Sequence, residues 1–407
     1  MKWTKSQKNV VLAAYLGWTL DAFDFFLMVF MFKDIAGTFH VDVKNVAEAV
    51  FLTLAARPIG AFIFGRLADR FGRKPTLMWN ILAFSILEAA SGFAPSLEIF
   101  LLLRFLFGIA MGGEWGIGSA LAFETIPLRA RGFVSGLLQA GYPSGYFVAS
   151  IASYFFYDQL GWRYMFLLGI VPAILVFFIR MGVDESPAFL ENRVKPRQGS
   201  FLSVLGNNWK LAVYAILLMT AFNFFSHGSQ DAYPNLFLKI QHGFDTHTLS
   251  IMTAIANIGA ILGGIFFGSL SERIGRRRAI MYAALLALPV IPFWAFASTP
   301  IVLGIGAFLM QVSVQGAWGI IPVHLNELSP PEIRATFPGV VYQLGNFFAS
   351  RNLPLQVLIA ESYGNNYGLA MASVVGTVVV VIVLLVAWGP EHRGIVMSDA
   401  QRVPVPH

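Results

Sequence analysis

The sequence lacks cysteine altogether, and it is poor in charge: Asp, Glu, Lys and Arg together make up 12% of its 407 residues. The absence of cysteine excludes disulfides, thiolate nucleophiles and thiol-bound metals. A soluble domain carries about twice this charged fraction. Hydrophobic residues account for 57% of the chain instead, so the composition argues against a soluble protein and for one that lies in a lipid bilayer.

Several sequence motifs of enzymes are missing as well. There is no G-x-x-x-x-G-K-[S/T] run for nucleotide phosphates, no H-E-x-x-H for a metalloprotease and no G-x-S-x-G for an esterase. We therefore predict a protein that is not an enzyme, with no catalytic residue, no metal site and no cofactor. The net charge of +6 is explained by basic loops rather than by a nucleic-acid partner.

Long apolar runs recur from about residue 8 to residue 388. A membrane-spanning helix needs about 20 such residues. The first run contains Asp21 and Asp24 and lacks a small-residue cleavage site, so we interpret it as a retained span and not as a signal peptide. The twelve predicted spans are 9–32, 46–66, 75–94, 97–121, 131–155, 162–181, 209–233, 248–270, 279–298, 301–323, 336–360 and 365–388.

Basic residues are concentrated in alternate loops. The loop after the second span reads GRLADRFGRK (65–74), and the loop after the eighth reads GSLSERIGRRR (268–278). Lys and Arg crowd the cytoplasmic loops of membrane proteins. We therefore predict that both termini are cytoplasmic, which agrees with an even number of spans. The lean loops favour a multi-pass protein of a bacterial inner membrane.

The second half of the chain echoes the first at a constant offset of 203 residues. This pattern predicts an all-α membrane protein of two six-helix halves related by a pseudo-twofold axis: a bundle over 1–181, a cytoplasmic linker over 182–208 and a second bundle with a short tail over 209–407. Parallel repeats of this kind hold their substrate between the halves near the midplane of the membrane. The matched pairs include Gly65 with Gly268, Arg73 with Arg276, Trp115 with Trp318, Glu124 with Glu327 and Arg131 with Arg334.

The segment GRLADRFGRK resembles the loop signature between helices 2 and 3 of the major facilitator superfamily. The resemblance implies twelve transmembrane helices and a cytoplasmic gate in which small residues permit close contact and charges pair across the halves. The alternative is a cluster of solvated loop charges. The predicted gate residues are Gly65, Asp69, Arg70, Arg73, Glu124, Arg131, Glu272, Arg273, Glu327 and Arg334.

The seventh span contains a polar stripe, NFFSHGSQD (223–231). At about 100° per residue, Asn223, His227, Gln230 and Asp231 fall within one helix face about 100° wide. A histidine changes charge near neutral pH, and Asp231, four residues on, can hold its ring. The pattern predicts a wet face with proton-transfer groups. The alternative is a neutral histidine that is hydrogen-bonded for helix packing.

The same stretch resembles the span-7 signature N-x-x-[S/T]-H-x-[S/T]-Q-D of fungal lactate/pyruvate permeases, which belong to the sialate:proton symporter family. The resemblance implies proton-coupled transport of small monocarboxylates, with Arg57 and Gln343 in substrate binding. The chain has Asn235 where the fungal pattern continues to a threonine.

Charged residues inside other spans are further candidates, because they usually pair or mark a pathway. Asp21 and Asp24 lie three residues apart, so both do not ionise easily and one is a candidate proton carrier. The offset places Asp24 opposite His227. Arg57 suits bidentate binding of a carboxylate. Each of the three could equally be half of a structural ion pair.

The remaining candidates lie in spans 4, 5 and 11. Arg104 begins RFLFGIAMGGEWG, which resembles a span-4 motif of proton-linked superfamily members, and Glu114 in it either titrates or neutralises an arginine. Gln139 and Tyr146 either line the cavity or pack. Arg351 is expected to be a buried arginine, either a substrate clamp or a residue near the outer mouth.

These observations predict a monomeric secondary transporter in the bilayer whose partners are a proton and a small carboxylate of lactate or pyruvate type. A sialic acid or an aromatic acid is the alternative substrate on the same fold. A third possibility is an uncoupled channel, against which the paired carboxylates and the parallel repeat argue.

Overall fold

The computed structural model describes residues 3–193, 201–398 and 401, and over these residues the chain is helical without a strand. The helices preceding residue 208 are α1 Lys5–Phe30, α2 Phe32–Phe39, α3 Val43–Phe71, α4 Arg73–Gly92, α5 Leu97–Gly112, α6 Glu114–Thr125, α7 Arg131–Leu168, α8 Ile170–Met181, α9 Pro187–Arg193 and α10 Phe201–Asn207. The α-helices that follow are α11 Trp209–Gln230, α12 Thr246–Ile274, α13 Arg276–Leu285, α14 Ala287–Ala295, α15 Pro300–Trp318, α16 Ile321–Leu328, α17 Phe337–Ala349, α18 Asn352–Ser362 and α19 Tyr367–Trp388, and a π-helix, Tyr233–Gln241, lies between α11 and α12.

The internal repeat is visible in the helix boundaries. Helix α12 begins and ends 203 residues after α3, and the pair α13 and α14 occupies the range that lies 203 residues after α4. The short 3-10 turns Leu128–Ala130 and Pro331–Ile333 keep the same spacing. The offset read from single residues is thus an offset between whole helices.

The twelve predicted spans correspond to this set of helices, several of them in two segments. Seven helical segments of the described chain are individually long and apolar enough to cross a membrane. Span 4 is divided at Gly113 into α5 and α6, and span 11 is divided at Ser350 and Arg351 into α17 and α18. Spans 5 and 6 are joined in α7 across a kink at Gly161, whose φ of 68° suits glycine.

Within each half, glycines let helices approach until backbones touch. A Cβ added to Gly60 of α3 would lie 1.8 Å from the Ile109 carbonyl oxygen of α5. In the second half, a Cβ on Gly263 of α12 would lie 2.4 Å from the Val312 carbonyl oxygen of α15. Small residues at such crossings are the usual means by which membrane helices gain packing.

Glycines also bring the two halves together. A Cβ on Gly136 of α7 would lie 2.2 Å from the Gly264 carbonyl oxygen of α12, and one on Gly65 of α3 would lie 2.6 Å from Thr336 Cα. The contact between Gly65 and Thr336 lies on the side of the molecule formed by the connecting residues 72, 126–130, 182–186, 275 and 329–336. We call this side the basic face. The halves are therefore in contact at the basic face.

Part of the predicted linker 182–208 is described as α9 and α10, and residues 194–200 lie outside the described residues. Glu185 in the segment before α9 reaches back to α4, which begins at Arg73. Helix α9 therefore packs against the first half at the basic face, whereas α10 contacts α11 and the turn Pro331–Ile333 of the second half.

Candidate functional site

A cavity of about 460 Å³ lies between the two halves. Aromatic side chains contribute much of its wall, with Phe26 and Tyr146 from the first half and Trp318 and Tyr342 from the second. Its lining includes residues such as Asp231, just after α11, and Thr253, early in α12, both distant from the basic face along their helices. The cavity is thus on the far side of the contact between the halves.

The polar stripe of span 7 faces this cavity, as predicted. His227 Nδ1 lies 3.2 Å from an Asp231 carboxylate oxygen, and its Nε2 lies 3.0 Å from Asn346 Oδ1 of α17. Asn223 donates to the Met219 carbonyl oxygen at 2.8 Å, and Gln230 Nε2 donates to Gln311 Oε1 at 2.9 Å. The His227 side chain is 34% exposed, so it is hydrogen-bonded and still open to the cavity.

Arg57 lines the same cavity from the first half. Its Nη2 lies 3.4 Å from Asp21 Oδ1, and the guanidinium lies 5.8 Å from the centre of the Phe25 ring. Both Arg57 and Asp21 are buried, at 4% and 2% exposure. Arg57 is therefore one half of an ion pair and also lines the cavity, and its binding of a substrate carboxylate stays a prediction.

Asp24 does not face His227 across the cavity, so the prediction drawn from the 203-residue offset is wrong. Its carboxylate lies against Gly169, beside Glu88 of α4 and Arg104 of α5, inside the first bundle. Arg104 pairs with Glu88 at 2.8 Å and lies 4.2 Å from the centre of the Phe107 ring. Glu88 was not among the predicted site residues, although a carboxylate within an apolar run was a visible signal.

Three further candidates differ in their placement. Glu114 is buried at the start of α6, close enough for its charge to act on Asp21. Gln343 is buried but is not among the residues that line the cavity. Arg351 is exposed, at the break between α17 and α18, so the expectation that it is a buried arginine is wrong. Gln139 and Tyr146 do line the cavity.

The predicted gate residues form two related charge clusters at the basic face. In the first half, Arg73 pairs with Glu124 at 3.0 Å and with Asp69 at 3.5 Å. In the second half, Arg276 pairs with Glu327 at 2.9 Å and with Glu272 at 2.8 Å. Arg276 was absent from the predicted set, although the 203-residue offset from Arg73 indicates it.

Contacts between the clusters join the halves. Asp69 accepts hydrogen bonds from the backbone N–H groups of Ala335 and Thr336 at 3.0 and 3.1 Å. Glu272 accepts a hydrogen bond from the Gly132 backbone N–H. Across the same junction Arg131 pairs with Glu327 at 3.5 Å and Arg334 pairs with Glu124 at 3.8 Å. The basic face is closed by these contacts.

Two predicted gate residues take no part in that network. Arg70 is exposed and lies over the Phe71 ring at 5.1 Å. Arg273 is also exposed. Their helix positions explain this, because Arg73 and Arg276 follow the glycines that end α3 and α12 and so point inward, whereas Arg70 and Arg273 lie on the outer side of the last helical turn.

Two carboxylates that sequence reasoning did not assign to the clusters cap helices there. Glu185 accepts hydrogen bonds from the backbone N–H groups of Arg73 and Lys74 at 3.1 Å each, which suits an anion at a helix N-terminus. Glu391 does the same for Arg276 at 2.6 Å. Burial raises the pKa of the Glu185 carboxyl, and its hydrogen bonds oppose that rise.

The segment after α19 crosses from the second half to the first. The Ile395 carbonyl oxygen accepts a hydrogen bond from Arg131 at 2.8 Å. The Gln401 side chain accepts another from Arg131 at 2.9 Å and donates to the carbonyl oxygens of Phe123 and Ile126 at 3.0 and 3.1 Å. Phe123 belongs to the last turn of α6 and Ile126 follows its end, where carbonyl groups have no partner within the helix.

Comparison with known proteins agrees with this architecture. The model of the Major Facilitator Superfamily matches residues 14–237, and the model described as Sugar (and other) transporter matches residues 199–391. The first match spans more than half of the chain, so the chain belongs to the Major Facilitator Superfamily. It is a multi-pass membrane transporter with the all-helical fold of that family, not an enzyme.

Named relatives are similar over most of this chain. A Saccharomyces cerevisiae carboxylic acid transporter protein homolog is 30% identical over 89% of this chain, which spans 63% of the yeast protein. The Escherichia coli sialic acid transporter NanX is 28% identical over 95% of both chains. The chain thus spans somewhat less than two thirds of the yeast relative and nearly all of the bacterial one.

Solved structures show the same fold. The structure described as the proton:xylose symporter XylE bound to 6-bromo-6-deoxy-D-glucose superposes with a TM-score of 0.80 at 19% identity, over 96% of this chain and 97% of the other. The human organic anion transporter MFSD10 superposes with a TM-score of 0.69 at 16% identity, over 94% of this chain and 100% of the other.

Proposed function

We propose that the protein is a proton-coupled symporter of a small monocarboxylate that works by alternating access. The observation that carries the proposal is the pairing of ionisable groups on both walls of one cavity. His227 contacts Asp231 and Asn346 on the second half, and Arg57 contacts Asp21 on the first. Titratable groups inside spans usually mark an ion or substrate pathway.

The charge balance of the Arg57 pair links the proton to the anion. While Asp21 is ionised, it neutralises Arg57 and competes with a substrate carboxylate for the same guanidinium. When Asp21 takes up a proton, Arg57 becomes free to bind the incoming anion. Proton and anion then enter together because each favours the other, which is the reciprocity required of two coupled sites.

Movement of the halves completes the cycle. We propose that substrate and proton enter from the far side while the basic face is closed by the Arg131–Glu327 and Asp69–Thr336 contacts. Charge neutralisation in the cavity then permits the halves to close over the substrate and to separate at the basic face. Such a change is a shift between two states of a bistable assembly.

We further propose that the basic face and both termini are cytoplasmic, that the host membrane is a bacterial inner membrane, and that the protein is a monomer with bundles over 1–181 and 209–407. The support is the concentration of Lys and Arg in the loops of that face. Because the chain has no cysteine, single cysteines placed at exposed Arg70 or Arg273 should react with a membrane-impermeant maleimide only after the cells are lysed.

A larger or aromatic acid is the second candidate substrate. The cavity of about 460 Å³ exceeds the volume of lactate, and Tyr146, Trp318 and Tyr342 offer faces for ring stacking. Similar proteins are named as transporters of sialic acid, of niacin and of cis,cis-muconate, which supports an acid larger than lactate as the second candidate.

Uptake into proteoliposomes tests the proposal. Labelled lactate should accumulate when the outside is made acidic, and unlabelled pyruvate, benzoate or sialate should compete according to their fit. Accumulation of benzoate or sialate but not of lactate would favour the second candidate. Equal uptake with and without the proton gradient would contradict symport.

Two variants locate the coupling. His227→Ala or Asp231→Ala should abolish proton-driven accumulation while the purified protein keeps the thermal stability of the wild type. Uptake like that of the wild type in both variants would exclude this pair from proton coupling and leave Asp21 as the carrier of the proton.

A further inference from the structure

Two glutamines of the cavity have no hydrogen-bond partner among the described residues. Gln139 of α7 and Gln315 of α15 both line the cavity and are each 6% exposed. We infer that Gln139 and Gln315, one from each half, donate hydrogen bonds to the substrate carboxylate and bind it from both sides at once. This inference rests on the proposed function for the class of substrate, and it assigns that substrate its binding groups.

The other amides of the cavity are already engaged. Gln230 donates to Gln311 at 2.9 Å, and Asn346 contacts His227 at 3.0 Å. Asn223 and Asn257 donate to backbone carbonyls one turn earlier in their own helices, at 2.8 and 3.0 Å. Among the cavity amides, Gln139 and Gln315 are therefore the two whose side chains are not engaged by another described residue, so their amide groups are open to a ligand. The indole N–H of Trp18 and Nε of Arg57 in the same lining also have no partner among the described residues.

The orientation of the two amides indicates what they offer. In each, the side-chain oxygen is enclosed and without a partner, whereas the nitrogen is not enclosed. The opposite orientation would enclose an NH₂ group, which has two donors to satisfy instead of one acceptor. The atoms presented to the cavity are therefore donors, and they suit an acceptor-only ligand group such as a carboxylate.

The placement of the glutamines connects this contact to the movement of the halves. Helices α7 and α15 belong to different halves and approach each other directly. One carboxylate that contacts both Nε2 atoms therefore bridges the two halves. Arg57 alone does not bridge them, because it belongs to the first half and pairs with Asp21 of the same half. Removal of either donor should then weaken binding and also slow the closure of the cavity over the substrate.

Gln→Glu substitutions test the donor role at constant size. Gln139→Glu and Gln315→Glu replace an NH₂ donor by an anionic oxygen, so the KM for lactate should rise roughly tenfold to a hundredfold, the range for a hydrogen bond to a charged group. Gln241→Glu is the matched control, because exposed Gln241 accepts from the Tyr367 backbone N–H at 2.7 Å and glutamate still accepts there.

Two quantities are measured. The first is the KM for labelled lactate in proteoliposomes. The second is the shift in thermal unfolding temperature produced by lactate or its methyl ester at roughly 10 to 100 mM, a concentration range that reaches the KM expected of a weak carrier. Lactate should stabilise the wild type and the Gln241→Glu protein but not the two cavity variants, and the methyl ester should stabilise none. The apolar isosteres Gln139→Met and Gln315→Met serve if a glutamate variant does not fold.

A KM within twofold of the wild type in both glutamate variants would overturn the inference while leaving symport intact. Equal stabilisation by lactate and its methyl ester would overturn it too. If the wild type transports benzoate or sialate instead of lactate, the same measurements are made with that acid. Loss of its binding in the glutamate variants then supports the inference although the monocarboxylate proposal has failed.

Discussion

The Arg131 guanidinium of α7 lies 3.5 Å from the Glu327 carboxylate of α16, and both side chains are fully buried. Arg334 and Glu124 form the related pair in the opposite sense at 3.8 Å. Since each pair contains one residue from each half, separation of the halves at the basic face must break both. The same charges therefore hold the closed state and set the cost of leaving it.

Removal of Arg131 should favour the state that is open at the basic face. Arg131→Gln leaves Glu327 paired with Arg276 inside the second half, so the fold should survive while the inter-half pair is lost. Spin labels on cysteines at exposed Arg129 and Arg273 should show a larger population of long distances. Arg70→Gln is the control, since Arg70 is exposed and stacks on Phe71. Identical distance distributions in the two variants would contradict the role of the pair.

A side chain at Gly65 should prevent the basic face from closing. The Cβ of Gly65→Ala would lie 2.6 Å from Thr336 Cα across the junction, closer than real contacts allow. We expect uptake to fall at least tenfold, with the same spin labels reporting separation at the basic face. Gly37→Ala, where nothing lies within 4 Å, should keep the activity of the wild type. Normal uptake by Gly65→Ala would show that the junction tolerates the shift.

Helices, their repeat and the stripe of span 7 could be predicted from the sequence, because they depend on relations within one helix or on a constant offset. His227 and Asp231 are four residues apart, and helical geometry alone places them together. The offset likewise relates Arg73 to Arg276. Such patterns need no knowledge of how helices are rotated against each other.

The errors concern how a helix is rotated against its neighbours and where it breaks. Asp21 and Asp24 are separated by about 60° on α1, yet Asp21 pairs with the cavity residue Arg57 and Asp24 faces Gly169 and Glu88 inside the bundle. Arg351 was expected to be buried because its span is apolar, but the break between α17 and α18 leaves it exposed. Packing against neighbouring helices decides which way each side chain points, and this packing cannot be read from a single sequence.

The two arginines of spans 2 and 11 should therefore differ in function. Arg57→Ala removes a cavity cation and leaves Asp21 buried without its partner, so we expect the loss of measurable lactate uptake. Arg351→Ala changes an exposed residue outside the cavity lining and should leave the KM within twofold of the wild type. Initial rates in proteoliposomes measure both. A large rise in KM in Arg351→Ala would restore the clamp interpretation.

Arg104 should matter for folding through Glu88 and Asp24. Arg104→Leu would leave the Glu88 and Asp24 carboxylates buried without a cation, and breaking such a pair typically costs about 3–5 kcal/mol. The double variant Glu88→Gln with Arg104→Leu leaves one acid fewer and should recover part of the lost stability. Thermal unfolding in detergent measures each protein. Equal stability of the single variant and the wild type would show that the pair adds nothing to the fold.

The segment that follows α19 should stabilise the closed basic face through Gln401. Its amide donates to the carbonyl oxygens of Phe123, Glu124 and Ile126 at 3.0 to 3.2 Å and accepts from Arg131. Gln401→Ala removes these contacts from the end of α6, and Gln401→Glu sets an acceptor against three acceptors. We expect both variants to increase the population that is open at the basic face, as reported by spin labels at Arg129 and Arg273. Gln401→Glu should have the larger effect, because its charge repels the carbonyl oxygens although it still attracts Arg131. Gln241→Glu again serves as the matched control. If both Gln401 variants keep the distance distribution of the wild type, the contacts of this segment follow closure and do not stabilise it.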